Sequence, residues 1–239
     1  MFDLPDTYRV DVKVALKDFI PKDLKPNDKK RIKDAVKSVR LDYQIAGEEI
    51  PSVNNEEYRC QVIQFYDIEV VNIRDANFLA ATYQNLIKPL CVIRMHDRKN
   101  EVYSMTIKRL SQTDEMQIVV EQPLLTDKYM LDIPDSNRDR FMAYMNYSTV
   151  KNKIDKVQLY KEWFYKAYMV VNEKAYIHTD KLLDGNAWYD SGRTARICQK
   201  YIELVTSRGK LKKVVTNAER MKINKEIKAE VQALDREKL

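Results

Sequence analysis

Asp67 and Glu69 stand two residues apart in a stretch rich in Val, Ile, Phe and Tyr. In a β-strand that spacing puts both carboxylates on one face, where they could chelate a divalent cation. No third ligand follows at metal-site spacing. An edge-strand acid pair answered by Lys or Arg is therefore the expected arrangement, and the two acids stand as weak catalytic candidates. His96 is followed by Asp97 within a polar run, His96-Asp97-Arg98-Lys99-Asn100. Such a pair makes a solvated turn more often than an acid-base couple. The other histidine, His178, lies in His-Thr-Asp with no Gly-x-Ser-x-Gly sequence, so a hydrolase triad is not expected.

Pro5-Asp6 followed by Asp11-Val12-Lys13 spells the PD…DxK pattern of metal-dependent nucleases, in which two carboxylates hold Mg²⁺ and the lysine steadies developing charge. Only four residues separate Asp6 from Asp11, too few for the hairpin that brings such acids together. A chance match is expected. Two histidines exclude a His-rich zinc site, and Cys60, Cys91 and Cys198 are too widely spaced for a thiolate cluster and read as reduced core residues. The four glycines, Gly47, Gly185, Gly192 and Gly209, build no phosphate-cradling loop. No cofactor is expected.

Charge is unevenly placed. Lys and Arg against Asp and Glu number 11 to 10 over residues 1–50, 21 to 21 over 51–204, and 10 to 5 over 205–239, so the net +6 is mostly a property of the tail. Candidate contacts for an acidic partner or nucleic acid are Lys210, Lys212, Lys213, Arg220, Lys222 and Asn224, with a second basic run at Lys29, Lys30, Arg31 and Lys33 beside Lys25. Aromatic residues from Phe141 to Tyr168 interleave with basic ones as in a single-strand binder. Because Val157, Tyr160, Phe164, Tyr168 and Val171 recur at helical spacing, core packing is the stronger reading, with Tyr147 and Tyr165 left outside the stripe.

These side chains must be positioned by elements that the pattern predicts as α, β, β, α, β, β, β over residues 1–133: a helix over 27–39, strands over 40–45 and 58–73, a helix from Asp75 stopped by Pro89, strands over 90–95 and 102–110 forming a hairpin, and a strand over 116–125. After Pro134 long β-branched runs disappear. Helices are expected over 135–150, 157–172 and 194–206, with a loop over 174–190 holding at most a short strand at 175–178. Gly209 allows a break before an amphipathic helix over 207–239. In that tail Leu211, Val214, Ala218 and Met221 are spaced 3-4-3, and Asn224, Ile227, Val231 and Leu234 repeat it after a step of three. Two such runs are too short for a long coiled coil, so docking on the body and dimerisation are both open, Asn224 setting register in the second case. The fold class expected is α+β: a mixed sheet covered by helices over 1–133, a helical part over 134–206, and the basic helix over 207–239.

Ile20-Pro21-Lys22, the strand from Gln61 to Val71, the step Leu86-Ile87-Lys88-Pro89-Leu90 and the tail from Met221 to Lys228 together make the chain resemble a bacterial family known as domain of unknown function 4391. The resemblance implies genes placed beside helicases and DNA methyltransferases of restriction-type or anti-phage clusters, and it carries over no catalytic residue. The expectation is a non-catalytic accessory protein of a cytoplasmic DNA-processing or defence system, docking a larger partner through the basic tail. Nucleic-acid binding is the alternative, and a divergent metal-dependent nuclease the remote one. The start lacks the apolar segment of a signal peptide, and no apolar run is long enough to span a bilayer, so no membrane role is expected.

Overall fold

The computed structural model describes residues 1–113 and 117–237. The chain divides into two compact units, Met1–Phe164 and Tyr165–Leu239. The first is built on a mixed sheet. Its strands are β1 (Arg9–Val14), β2 (Val36–Ile45), β5 (Ile63–Val70), β6 (Leu90–His96), β7 (Asn100–Leu110) and β8 (Ile118–Leu125) in that spatial order, with β9 (Tyr129–Met130) beside β7. A separate short hairpin is formed by β3 (Val53–Asn54) and β4 (Arg59–Cys60). Among the described residues only β5 and β6 run parallel, because helix α2 (Ala76–Leu86) crosses between them, and the other pairings are antiparallel.

Helix α1 (Pro26–Ala35) starts with proline in its first turn, where no amide hydrogen is needed, and turns Ile32 and Ala35 inward. The predicted helix to Val39 is shorter by four residues. Val36 and Val39 are β-branched and pair instead with Val70 and Ile68 of β5, a use of the chain that tertiary pairing favours over helix propensity. The predicted strand 58–73 resolves into β4 and β5. Both faces of β5 are buried, since Ile68 and Val70 pack with Leu79, Tyr83 and Ile93 on the α1 and α2 side while Phe65 packs against Phe2 and Trp163 on the other. β5 is an interior strand, so the apolar residues on both of its faces are buried, as their positions on both sides of Asp67 and Glu69 suggest. The acid pair does not lie on an edge strand. The edge is β1, where Asp11 takes a left-handed φ of 53° and the register with β2 shifts between Arg9 and Val12. The predicted strand 116–125 is seen from Ile118; Met116 lies outside the described residues.

Helix α3 (Ser136–Met145) is capped by Asp135, which accepts the amides of Asn137 and Arg138 at 3.0 and 3.2 Å. It ends before a short 3-10 turn, Tyr147–Thr149, so the single helix expected over 135–150 is broken at Asn146. Helix α4 (Lys156–Val171) continues the chain into the second unit. Phe141, Tyr160, Trp163, Phe164 and Tyr168 are buried while Tyr147 and Tyr165 are only partly so, as the core reading of that aromatic run predicts.

In the second unit the segment 174–190 is more regular than the loop expected: α5 (Thr179–Asp184) lies between 3-10 turns at Glu173–Ala175 and Asn186–Tyr189, and no strand forms at 175–178. Helix α6 (Ser191–Leu211) runs through Gly209, and α7 (Asn217–Glu237) follows. The break falls at 212–216, not at Gly209. Thr216 accepts the Glu219 amide at 3.3 Å and donates its hydroxyl to the Glu219 carboxylate at 2.7 Å, so Thr216 caps the start of α7 within a Thr-x-x-Glu sequence. Among the described residues no helix is long and apolar enough to cross a membrane.

Candidate functional site

A row of ionisable side chains crosses one face of the first unit's sheet near the carboxyl ends of β5 and β6. Asp67 sits opposite Arg94 in the parallel pairing and accepts hydrogen bonds from Arg94 Nη1 at 3.0 Å and His96 Nε2 at 3.1 Å. Arg94 Nε also meets Glu101 Oε2 at 2.6 Å, and Arg138 Nε meets the other oxygen of the same carboxylate at 2.5 Å. Glu101 is 0% exposed, so an unpaired charge there would be costly; the two guanidinium groups answer it. Four elements supply these groups. Asp135 at the start of α3 fixes the first turn that holds Arg138, and the turn joining β6 to β7 sets Arg94 against Glu101.

The electrostatics follow from the pairing. The hydrogen bond to Asp67 raises the His96 pKa above its ordinary 6.5, although burial opposes this. Burial disfavours ionised Asp67, yet His96 and Arg94 outweigh it and hold its carboxyl below the usual range. Asp42, in β2, goes the other way: burial first, then the charge of Asp67, pushes its carboxyl up. Asp97 is not the acid partner of His96. It organises the turn, accepting the amides of Lys99 and Asn100 at 2.9 Å and that of Ile73 at 3.1 Å.

The two acids singled out by their spacing are thus separated in role: Asp67 belongs to this row, and Glu69 forms its own pair with Lys37 at 2.9 Å. Asp6 lies in a 3-10 turn and Asp11 on the edge strand, ion-paired with Arg40 and with Arg9. Among the described residues no three His, Cys, Asp or Glu side chains converge as metal ligands. His178 precedes α5, its ring edge-on to Tyr176. The three cysteines are free and buried. Arg94, Glu101 and Arg138 carried no motif, yet each of the first two is a charge inside an apolar strand sequence, which is itself a signal of a buried partner.

The basic residues fall in two places. On α1, Lys29 donates to the Lys22 carbonyl at 2.6 Å, Arg31 pairs with Asp75 at 2.7 Å and stacks on Phe78, while Lys30 and Lys33 are exposed. Lys30 and Arg31, with Asp34 and Asp75, line an open groove of about 370 Å³. In the second unit, α7 lies antiparallel against α6, tied by Arg193 to Glu237 at 3.1 Å, Ser207 to Glu230 at 2.9 Å, and Tyr176 to Asp235 at 2.8 Å. Its inward stripe is Ile223, Ile227, Val231 and Leu234; Asn224 is exposed, and of the first expected run Leu211 and Val214 are half-buried while Ala218 and Met221 are exposed. Lys210, Lys212, Lys213, Arg220 and Lys222 consequently surround the tip of a helical hairpin and do not line a free-standing helix.

No curated protein and no solved structure matches the chain. A family model does, over residues 2–234, and the chain belongs to the family described as Domain of unknown function (DUF4391).

Proposed function

We propose that this protein is a non-catalytic interaction component of a cytoplasmic DNA-processing or anti-phage defence system, and that it docks a larger partner, such as a helicase or DNA methyltransferase, through the tip of the α6–α7 hairpin. One observation carries the reading. Residues 207–225 hold seven Lys and Arg against a single acid, Glu219, and the same tip leaves Val215 88% and Met221 65% exposed. Positive charge ringing exposed apolar side chains suits an acidic protein surface with an apolar centre.

The test is co-purification of the tagged full chain against Lys212→Glu/Lys213→Glu/Arg220→Glu. Truncation at Ser207 would be a poor control, because it removes the last turn of α6 and the buried Leu234. Loss of a helicase or methyltransferase from the variant, with its helicity retained, supports the docking reading. Equal recovery by both proteins overturns it.

The surplus of cations also favours a second reading, in which the tip contacts nucleic-acid phosphates, with Lys25, Lys30 and Lys33 as a further basic patch. Such binding falls steeply as salt rises. Duplex DNA that stays unbound at low ionic strength dismisses it.

A further inference from the structure

We infer that Arg94 and Arg138, both held on the buried carboxylate of Glu101, form a binding site for a phosphate group. A structural role for Glu101 needs only enough donors to answer one charge. Here each oxygen takes the Nε of a different arginine, and among the described residues Nη2 of Arg94 and both Nη atoms of Arg138 are left without a hydrogen-bond partner. These donors reach solvent: the two side chains are 27% and 32% exposed. Because the Nε contacts lie on two oxygens of one carboxylate, the guanidinium groups are neighbours with fixed planes.

That arrangement selects among anions. A carboxylate offers two oxygens and is satisfied by one guanidinium fork; a phosphate offers more oxygens and can accept from the Nη pair of Arg138 and from Arg94 Nη2 at once. The competing charges are largely answered inside the row. Glu101 and Asp67 balance Arg94 and Arg138, and His96 adds a positive charge when protonated. The phosphate belongs to a larger molecule whose remainder is set by surfaces around the row. This site lies in the first unit and does not depend on the hairpin tip.

Inorganic phosphate is the probe, titrated into the full chain at constant ionic strength with chloride as the balancing anion, and followed by ³¹P line broadening and by the arginine side-chain resonances. Saturable binding is expected, with the Arg94 and Arg138 signals shifting together. Arg138→Gln should weaken it by about tenfold or more, the scale of a lost charge-assisted contact. Arg138→Lys, which keeps charge but loses the fork, should give an intermediate loss, and circular dichroism checks that both variants fold. Lys17→Gln, at an exposed lysine outside every site described above, should bind as the parent does. Non-saturating binding, equal affinity in Arg138→Gln, or an equal loss in Lys17→Gln overturns the site.

Discussion

The His96 imidazole and the Asp67 carboxylate meet at 3.1 Å across the parallel β5–β6 pair, two residues along β6 from the arginine that grips the same acid. This geometry makes the end of the sheet sensitive to pH. His96 has a folded pKa above its unfolded value, so its stabilisation is fully present below about pH 6.5 and is lost as pH rises through the raised folded value. The groups that face it are Asp67 and Arg94, with an Asp97 backbone contact. Urea unfolding of the parent and His96→Gln at pH 5.5 and pH 8.5, conditions of about one unit or more either side of the ordinary pKa, should show a penalty of about 1–2 kcal/mol at the lower pH and a smaller one at the higher. A penalty that grows with pH would contradict the pairing.

Asp67 has the opposite sign. Its folded pKa is depressed, so its contribution is present above its unfolded value near 3.8 and disappears as pH falls through the lower folded value. Asp67→Asn should flatten the acid limb of a stability-pH curve below about pH 4. An unchanged limb would remove Asp67 as its source.

Glu101 holds α3 to the sheet through Arg138. Glu101→Gln withdraws the charge shared by two guanidinium groups, and a loss of about 2–4 kcal/mol is expected, toward the lower end because both arginines can rehydrate. Denaturant midpoints measure it. Arg138→Gln should cost less, since Arg94 remains on the carboxylate.

Lys156 is fully buried, and its ammonium donates to the carbonyls of Gly47 and Ile50 at 3.0 and 2.6 Å and to Ser52 Oγ at 3.1 Å. Lys156→Met keeps much of the apolar stem but leaves those acceptors unpaired. A loss of about 2–4 kcal/mol is expected in chemical denaturation, and hydrogen exchange should rise around residues 47–52 before it rises in β5.

Leu234 is fully buried on the inner stripe of α7. Leu234→Ala should cost about 2–5 kcal/mol locally and should expose the 212–216 connection to limited proteolysis without altering the near-ultraviolet signal of the first unit.

The β-branched and aromatic runs of β5 and β6, the stop at Pro89 and the helical spacing of the Tyr160 stripe were readable directly, because each is a local pattern with one dominant physical cause. The end of α1 was not: residues 36–39 satisfy a helical face as well as a strand, and only pairing with Ile68 and Val70 decides between them. Thr216 and Glu219 did spell a Thr-x-x-Glu capping sequence, which locates the start of α7 better than Gly209 does, since glycine is tolerated inside an exposed helix. Of the polar row, spacing pointed to Asp67 alone. Glu101 and Arg138 are separated by 37 residues and meet only because Asp135 starts α3 where it does.

The left-handed Asp11 has a bearing on solubility. β1 is an outer strand with exposed Val10 and Val12, the kind of border on which a second chain can zip up through backbone hydrogen bonds. The kink at Asp11 breaks the even spacing of free amide and carbonyl groups, and its ion pairs with Arg9 and Arg40 place charge on the same margin. At the far border β8 carries Pro123, which has no amide hydrogen to offer. Both rims of the sheet therefore carry features that disfavour templated stacking of a second chain.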